Sequence, residues 1–295
     1  MDVKRILITG ANGLLGKNLT LALKDRYEIY AILHSEPAER VLGVTYVFID
    51  LSLPWDTRSL PENIDVVIHL AQSSEFRNFP NSAINIFSVN ISSTAYLLDY
   101  AKRVGVKKFI YASSGGVYDQ SKFAIDENSP IIPPDNLGYY LGSKLCGEIL
   151  SNSYIDVFQV IVLRFFFIYG NRQQAGMLIP RLMSNISSKK PISLQGKNGI
   201  YINPVHVQDA IAAVIAALST DKSQTFNIAG PDIVSIRELS EAMGNYLKVK
   251  PIFQKISGAP KNLIGDNTKM IDLLVKPCRR IKDCLSDIPF KKNDE

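Results

Sequence analysis

The chain has 295 residues, 46% hydrophobic and 21% charged, and its 33 lysines and arginines against 28 acids leave a formal charge of +5. That length accommodates one large α/β domain, or a core domain with an appendage, and buries a sizeable core without crosslinks. With 15 prolines, 18 glycines and only three scattered cysteines, Cys146, Cys278 and Cys284, the composition excludes collagen, disordered and disulfide-scaffold classes and points to a reducing compartment.

Met1-Asp2-Val3-Lys4-Arg5 precedes only a short apolar run before Gly10, too short for the apolar region of a signal peptide or for a membrane span. The expectation is a cytoplasmic protein with no membrane partner. Its densest basic cluster, Lys276, Arg279, Arg280, Lys282, Lys291 and Lys292, is interrupted by Asp283 and Asp287 and reads as a solvated face, so no nucleic-acid partner is expected. The cysteines lack metal-ligand spacing, and no metal is expected.

Short apolar runs alternate with longer helical patterns through the first half. In chain order these are a strand at Val3–Thr9, a helix at Leu14–Lys24, strands at Glu28–Leu33, Val44–Asp50 and Val66–Leu70, and a long helix from about Ser88 to Arg103. A strand at Phe109–Ser113, a helix at Leu141–Asn152 and an apolar strand at Val157–Phe166 follow. This alternation predicts a doubly wound parallel sheet of the Rossmann-like α/β class. After Gly170 the rhythm breaks into a helix at Met177–Ser187, a strand at Pro191–Leu194, a turn at Gly196–Gly199, a helix at Val207–Leu218 and a strand at Gln224–Ile228. A helix at Ser235–Leu247 comes next, with Ser235 as its cap and Glu238 three residues on.

Between the first strand and helix stands Gly10-Ala11-Asn12-Gly13-Leu14-Leu15-Gly16. Glycines there let the backbone approach a pyrophosphate, whose charge rests on the amides and positive end of the helix. Gly10, Gly13, Leu14, Leu15 and Gly16 are therefore expected to hold a dinucleotide. The second strand ends Ala31-Ile32-Leu33-His34-Ser35, with Arg40 beyond. No acid stands there to take the ribose 2′-hydroxyl, so the cofactor is NAD or NADP with a lean to NADP. His34 either stacks on adenine or sits at the exposed strand end, and Asp50-Leu51 either contacts adenine or caps the next loop. The expected division is a dinucleotide-binding domain over residues 1–168, with returning segments near 203–230. A smaller α/β substrate lobe takes 169–202 and 231–295.

Tyr140 and Lys144 stand four apart on an expected helix, hence on one face. A free phenol has a pKa near 10, and a nearby ammonium makes it a useful acid or base at neutral pH. Upstream, the strand carrying Phe109–Ser113 ends in Ser113-Ser114, where a hydroxyl orients a carbinol or carbonyl oxygen.

These stretches, with Val67-Ile68-His69-Leu70-Ala71, Val89-Asn90, Val117-Tyr118, Leu163-Arg164-Phe165, Tyr169-Gly170 and Val205-His206-Val207-Gln208-Asp209, resemble the extended short-chain dehydrogenases/reductases of the NAD-dependent epimerase/dehydratase family over nearly the whole chain. The resemblance implies a catalytic Ser114, Tyr140 and Lys144. It places Leu70, Ala71, Gln72, Asn90, Ser113, Phe165, Phe166 and Ile168 along the cofactor. It further implies a nucleotide-sugar partner in the C-terminal lobe, near Ser73, Ser114, Phe167, Arg172 and Arg181, and a homodimer.

Departures from the family pattern narrow the chemistry. Family 4,6-dehydratases follow the catalytic hydroxyl with an Asp-Glu pair, whereas Gly115 and Gly116 follow Ser114 here, and glycine moves no protons. Phe167 replaces an asparagine and Ile202 an arginine that the family's uridine-diphospho-sugar epimerases use at the diphosphate; Arg172, Arg181 or Lys197 offer compensating charge. The reading is an NAD(P)-dependent epimerase or ketoreductase acting on a secondary alcohol or keto group of a nucleotide sugar. A reductase of a non-nucleotide carbonyl compound and a non-catalytic NAD(P) sensor are the alternatives. His206 reads as a hydrogen-bonded structural histidine, Phe165–Phe167 as sheet core, and Trp55 carries no role. Three Asn-x-Ser/Thr matches, at Asn18, Asn90 and Asn185, are expected to carry no glycan.

Overall fold

The computed structural model describes residues 4–119 and 123–290. Val3 of the expected first strand, and Lys291 and Lys292 of the basic cluster, lie outside the described residues.

In chain order the elements are β1 (Arg5–Thr9), α1 (Leu14–Leu23), β2 (Glu28–Leu33), β3 (Val44–Phe48), β4 (Val66–His69), α2 (Ala83–Phe87), α3 (Ser93–Arg103), β5 (Lys108–Ser114), α4 (Pro134–Asn152) and β6 (Gln159–Phe165). Then come α5 (Leu178–Ser187), β7 (Ile192–Gln195), β8 (Tyr201–Ile202), α6 (Val207–Ala217), β9 (Gln224–Ile228), β10 (Val234–Ser235), α7 (Ile236–Leu247), β11 (Phe253–Ile256) and α8 (Thr268–Leu273). Among the described residues seven strands form one sheet in the order β3-β2-β1-β4-β5-β6-β9. β1 pairs in parallel with β2 and β4, β2 with β3, and β4 with β5. Every residue of β4 is buried, which is what a parallel strand covered on both faces requires and why these strands read as unbroken apolar runs.

Two elements differ from their expected form. The helix expected from Ser88 already starts at Ala83 and passes through a π-helical turn, Ser88–Ser92, before α3. Around it the hydroxyls of Ser93 and Thr94 donate to the Val89 and Asn90 carbonyls at 2.6 and 2.8 Å. α4 starts at Pro134 rather than Leu141 and is broken at Gly138, whose φ of 71° and ψ of 168° only glycine adopts without strain. The short strands β8 and β10 pair antiparallel, and β7 and β11 pair in parallel. Of these, only β7 was signalled by the sequence pattern.

The chain divides into two compact units. The first comprises Met1–Val117, Ile131–Arg164 and Val214–Phe226, with a core including Leu7, Val67, Leu97, Phe109 and Val162. The second comprises Tyr118–Pro130, Phe165–Ala213 and Asn227–Glu295, built around Ile179, Met183, Leu194, Leu239 and Met243. The segment after Val117 joins the second unit through Asn227, whose Nδ2 donates to the Ile125 carbonyl at 2.8 Å and whose N–H donates to Glu127 at 2.7 Å. In α7 the expected cap forms as a reciprocal pair: Ser235 Oγ accepts the Glu238 N–H, and the Glu238 carboxylate accepts the Ser235 N–H.

His206 accepts the Gln208 N–H at Nδ1 and meets Asp287 at Nε2, 3.1 Å away, a structural role. Its Asp287 partner lies 81 residues on, beyond what local sequence shows. Asp209 binds the Arg279 guanidinium at 2.8 Å and accepts the backbone N–H groups of Cys278 and Arg279. Part of the basic C-terminal cluster is therefore spent on pinning its own segment. No helix among the described residues is long and apolar enough to cross a membrane.

Candidate active site

The strand order reverses between β1 and β4, which opens a crevice beyond their carboxyl ends, where Thr9 and His69 are paired. Gly10 leaves β1 at φ +67°, and a Cβ there would lie 2.8 Å from the Ala71 nitrogen. One on Gly16 would lie 2.2 Å from the Gly10 carbonyl oxygen. The cradle thus admits no side chain at either position. Gly13 caps α1 without a side-chain hydrogen bond, and no acid stands in the first turn, so the positive end of the helix is left for an anion. Leu14 and Leu15 open that turn, half-buried.

Beyond β2 and β3, His34 is exposed, Leu51 is buried, and Asp50 accepts both the N–H and the hydroxyl of Ser52, at 2.9 and 2.7 Å. Those bonds hold the Asp50 carboxyl below its ordinary value, helped by the nearby His34. In this structure Asp50 caps its loop. Arg40, the cation for a 2′-phosphate, instead gives Nε and Nη2 to the Glu36 carboxylate at 2.5 and 2.8 Å and lies over the Tyr46 and Phe48 rings.

Ser114 ends β5, and Tyr140 and Lys144 stand one turn apart on α4. Gly116 N–H donates to Ser114 Oγ at 3.1 Å, which leaves the serine proton available beside the Tyr140 phenol. The Tyr140 hydroxyl itself donates to Gln72 Oε1 at 3.0 Å. Burial pushes the phenol up to about 12, while the Arg77 charge and the Ser114 hydrogen bond pull it down. Lys144 is buried; its Nζ donates to the Ala112 carbonyl at 2.8 Å and lies 5.4 Å from the centre of the Tyr111 ring. Burial draws its ammonium down to about 8 against the raising effect of Glu148.

Glu148 and Arg77 escaped the sequence reading. The Glu148 carboxylate, 2% exposed, accepts Arg164 Nε at 2.9 Å and Nη2 at 2.6 Å, together with the Ser113 hydroxyl. This joins α4 to β5 and β6. A signal was available, since Glu148 stands four residues after Lys144 on the face that carries Tyr140. Arg77 sits in a loop without periodicity, its guanidinium 4.9 Å from the Phe76 ring, which packs 4.8 Å from the Tyr140 ring.

Three of the residues expected near ligands make internal hydrogen bonds. Asn90, inside the π turn, accepts the Ser73 N–H at 2.9 Å and donates to Ser143 Oγ at 2.8 Å. Ser73 commits its own proton to Asn85 at 2.5 Å, and Ser113 gives its proton to Glu148. These hydrogen bonds tie the loop after β4, the π turn, β5 and α4 together around the crevice. Gln72 likewise meets the phenol, where a cofactor contact was expected. Leu70 and Ala71 follow β4 in the crevice.

In the second unit Phe165 and Phe166 are buried, Phe166 stacking on Tyr118, while Ile168 accepts Gln173 Nε2 through its carbonyl at 2.6 Å. Phe167 and Arg172 adopt φ of 45° and 70°, left-handed backbone that non-glycine residues take at a cost and that clusters at functional sites. Arg172 and Arg181 are exposed.

The sequence model of the NAD dependent epimerase/dehydratase family matches residues 6–229. The chain belongs to that family. Among its relatives is an uncharacterised UDP-glucose epimerase of Bacillus subtilis, 28% identical, with 96% of both chains covered. A GDP-6-deoxy-D-talose 4-dehydrogenase of Aggregatibacter actinomycetemcomitans is 27% identical, over 92% of this chain and 91% of its own. Of solved structures, a UDP-glucuronic acid 4-epimerase of Bacillus cereus, in complex with UDP-glucuronic acid and NAD, superposes with a TM-score of 0.85 at 28% identity, over 96% of this chain and 97% of that one. Within the family, the Gly115-Gly116 pair here stands where α4 closes on β5: a Cβ on Gly116 would press 2.9 Å from Leu141 Cδ2.

Proposed function

We propose that this family member is an NAD-linked 4-epimerase of a uridine-diphospho sugar, working by reversible oxidation of a secondary alcohol. The observation that carries the reading is the Ser114–Tyr140 pair, with Gly115 and Gly116 supplying no second acid or base for elimination. The glycine cradle, the uncapped start of α1 and the open crevice beyond β1 and β4 fit a dinucleotide. NAD bound there would supply the redox chemistry, as acceptor and donor of the hydride of the carbinol carbon.

This chain's residues handle the proton. Ser114 donates to the substrate oxygen and fixes its position. Tyr140 takes the hydroxyl proton as the alcohol is oxidised and gives it back as the ketone is reduced. Lys144, anchored on the Ala112 carbonyl, holds positive charge beside the phenol and the cofactor ribose. The Glu36–Arg40 pair supports NAD over NADP, because the cation that a 2′-phosphate needs is already matched by a carboxylate. In this reading the first unit binds the cofactor and the second holds the sugar nucleotide, with Phe167, Arg172 and Arg181 toward the substrate. The exposed Ile84, Phe87 and Tyr96 on the helical run through α2 and α3, with Ile149 on α4, support a homodimer, and three free cysteines support a reducing cytoplasm.

The test is product analysis by proton NMR after incubation with UDP-glucose, UDP-glucuronic acid and UDP-N-acetylglucosamine, with NAD or NADP added. A 4-epimer formed from at least one sugar, with NAD preferred, is the expected result. No change in any sugar would defeat the reading.

A further inference from the structure

The loop that leaves β4 is clamped on both sides of Gln72. Thr9 Oγ1 accepts the Ala71 N–H at 3.1 Å, and Asn90 Oδ1 accepts the Ser73 N–H at 2.9 Å. A buried chain of hydrogen bonds ties the two clamps together. His69 meets Thr9 Oγ1 through Nδ1 at 2.6 Å and Thr94 Oγ1 through Nε2 at 2.9 Å. Thr94 gives its own proton to the Asn90 carbonyl, so it accepts from His69, and the imidazole carries its proton on Nε2. Asn90 then donates to Ser143, which donates to the Tyr140 carbonyl at 2.7 Å. Between these anchors Gln72 is exposed, and its amide oxygen meets the reacting phenol at 3.0 Å. A mere spacer needs neither the clamps nor this contact.

We infer that Gln72 is a further catalytic residue, holding the Tyr140 phenol through its carbonyl and the phenolate through its NH2 group after a half-turn of the amide. The inference rests on the acid/base role of Tyr140 proposed above. A phenol has a proton to donate and needs an acceptor; a phenolate has none and needs donors. A carboxamide offers both on one planar group, and its terminal torsion is soft enough to exchange them. When Tyr140 takes the carbinol proton, Oε1 faces the new O–H. When Tyr140 returns it to the substrate oxygen, Nε2–H faces the phenolate, and no bond at the amide forms or breaks.

The other groups around this phenol are Arg77 and Phe76 from the same loop and Ser114 and Tyr111 from β5, while Lys144, one helical turn on, directs its Nζ to the Ala112 carbonyl. Buried His69 stands behind Lys144. Arg77 favours the phenolate, and the single Ser114 proton goes to the substrate oxygen in the proposed reaction, whereas Gln72 serves both states of the phenol. A hydrogen bond to an ion is stronger than one between neutral groups, so losing the amide raises the phenol's titration midpoint.

The test compares the wild-type protein with Gln72→Ala and Gln72→Glu. The glutamate keeps the length and the acceptor but offers no N–H. NAD affinity, turnover of a UDP sugar and the ionisation of Tyr140 are measured, the last by 13C NMR of labelled tyrosine in the NAD-bound protein, assigned with Tyr140→Phe. The expected result is kcat lowered roughly ten- to hundred-fold in both variants, NAD affinity within about twofold of wild type, and a Tyr140 midpoint raised in both, most in Gln72→Glu. Unchanged kcat with weakened NAD binding would overturn the inference and assign Gln72 to the cofactor. An unmoved Tyr140 midpoint would overturn it as well, without reference to turnover. Raised midpoints in a protein inert to every nucleotide sugar would uphold the Gln72 contact and sink the substrate reading instead.

Discussion

Replacing Glu148 with glutamine would leave the Arg164 guanidinium buried beside a neutral amide. Removing one partner of a buried ion pair costs about 3–5 kcal/mol, because the other charge is left uncompensated. Glu148→Gln is therefore expected to lose about that much in urea unfolding, and Glu148→Gln with Arg164→Met to recover most of it. His69 sets a pH dependence. Burial and the Lys144 charge hold its imidazole down to about 3, against an ordinary 6.5, so the folded protein keeps it neutral where the unfolded chain takes up a proton. The stability this gives is full above pH 6.5 and drains away as pH falls from there toward 3. In urea unfolding at successive pH values, His69→Gln is expected to be weaker at pH 7.5 and to show a shallower loss between pH 6.5 and 4. At this scale, sequence could show Tyr140 and Lys144 because they are one helical turn apart. It could not show that Glu148 is shared by Arg164 and Ser113, 16 and 35 residues away.

Among the elements, α4 owes its catalytic placement to the break at Gly138, two residues before Tyr140. A Cβ there would meet nothing within 4 Å, so the whole penalty of a substitution is backbone strain, about 1–3 kcal/mol. Gly138→Ala is expected to lower the thermal midpoint and to reduce kcat by shifting Tyr140, while NAD affinity, which the proposed function assigns mainly to the loop before α1, stays within about twofold. Equal losses in NAD binding and in kcat would contradict that separation. The break was not legible because a lone glycine four residues after Pro134 looks like the loop before a helix rather than a kink within one. The strands of the parallel sheet were legible because burial on both faces forces continuous apolar runs. β8 and β10, two residues each, are too short to carry a period, and the π turn depends on where Asn90 must point rather than on any spacing.

For the whole molecule, the charge of +5 says little about partners once Arg279 is seen pinned by Asp209 and Arg40 by Glu36. The exposed apolar side chains on α2, α3 and α4 say more. Sedimentation is expected to find a dimer, and Phe87→Glu with Ile149→Lys a monomer. A monomeric wild-type protein would remove that proposal without touching the chemistry. The central claim, that Tyr140 exchanges the proton of a nucleotide-sugar alcohol as NAD is reduced, is tested most directly by mixing NAD-loaded protein with the UDP sugar that it epimerises and following absorbance at 340 nm. The wild-type protein is expected to show transient reduction, and Tyr140→Phe none, with NAD binding intact. Reduction at the wild-type rate in Tyr140→Phe would contradict the account.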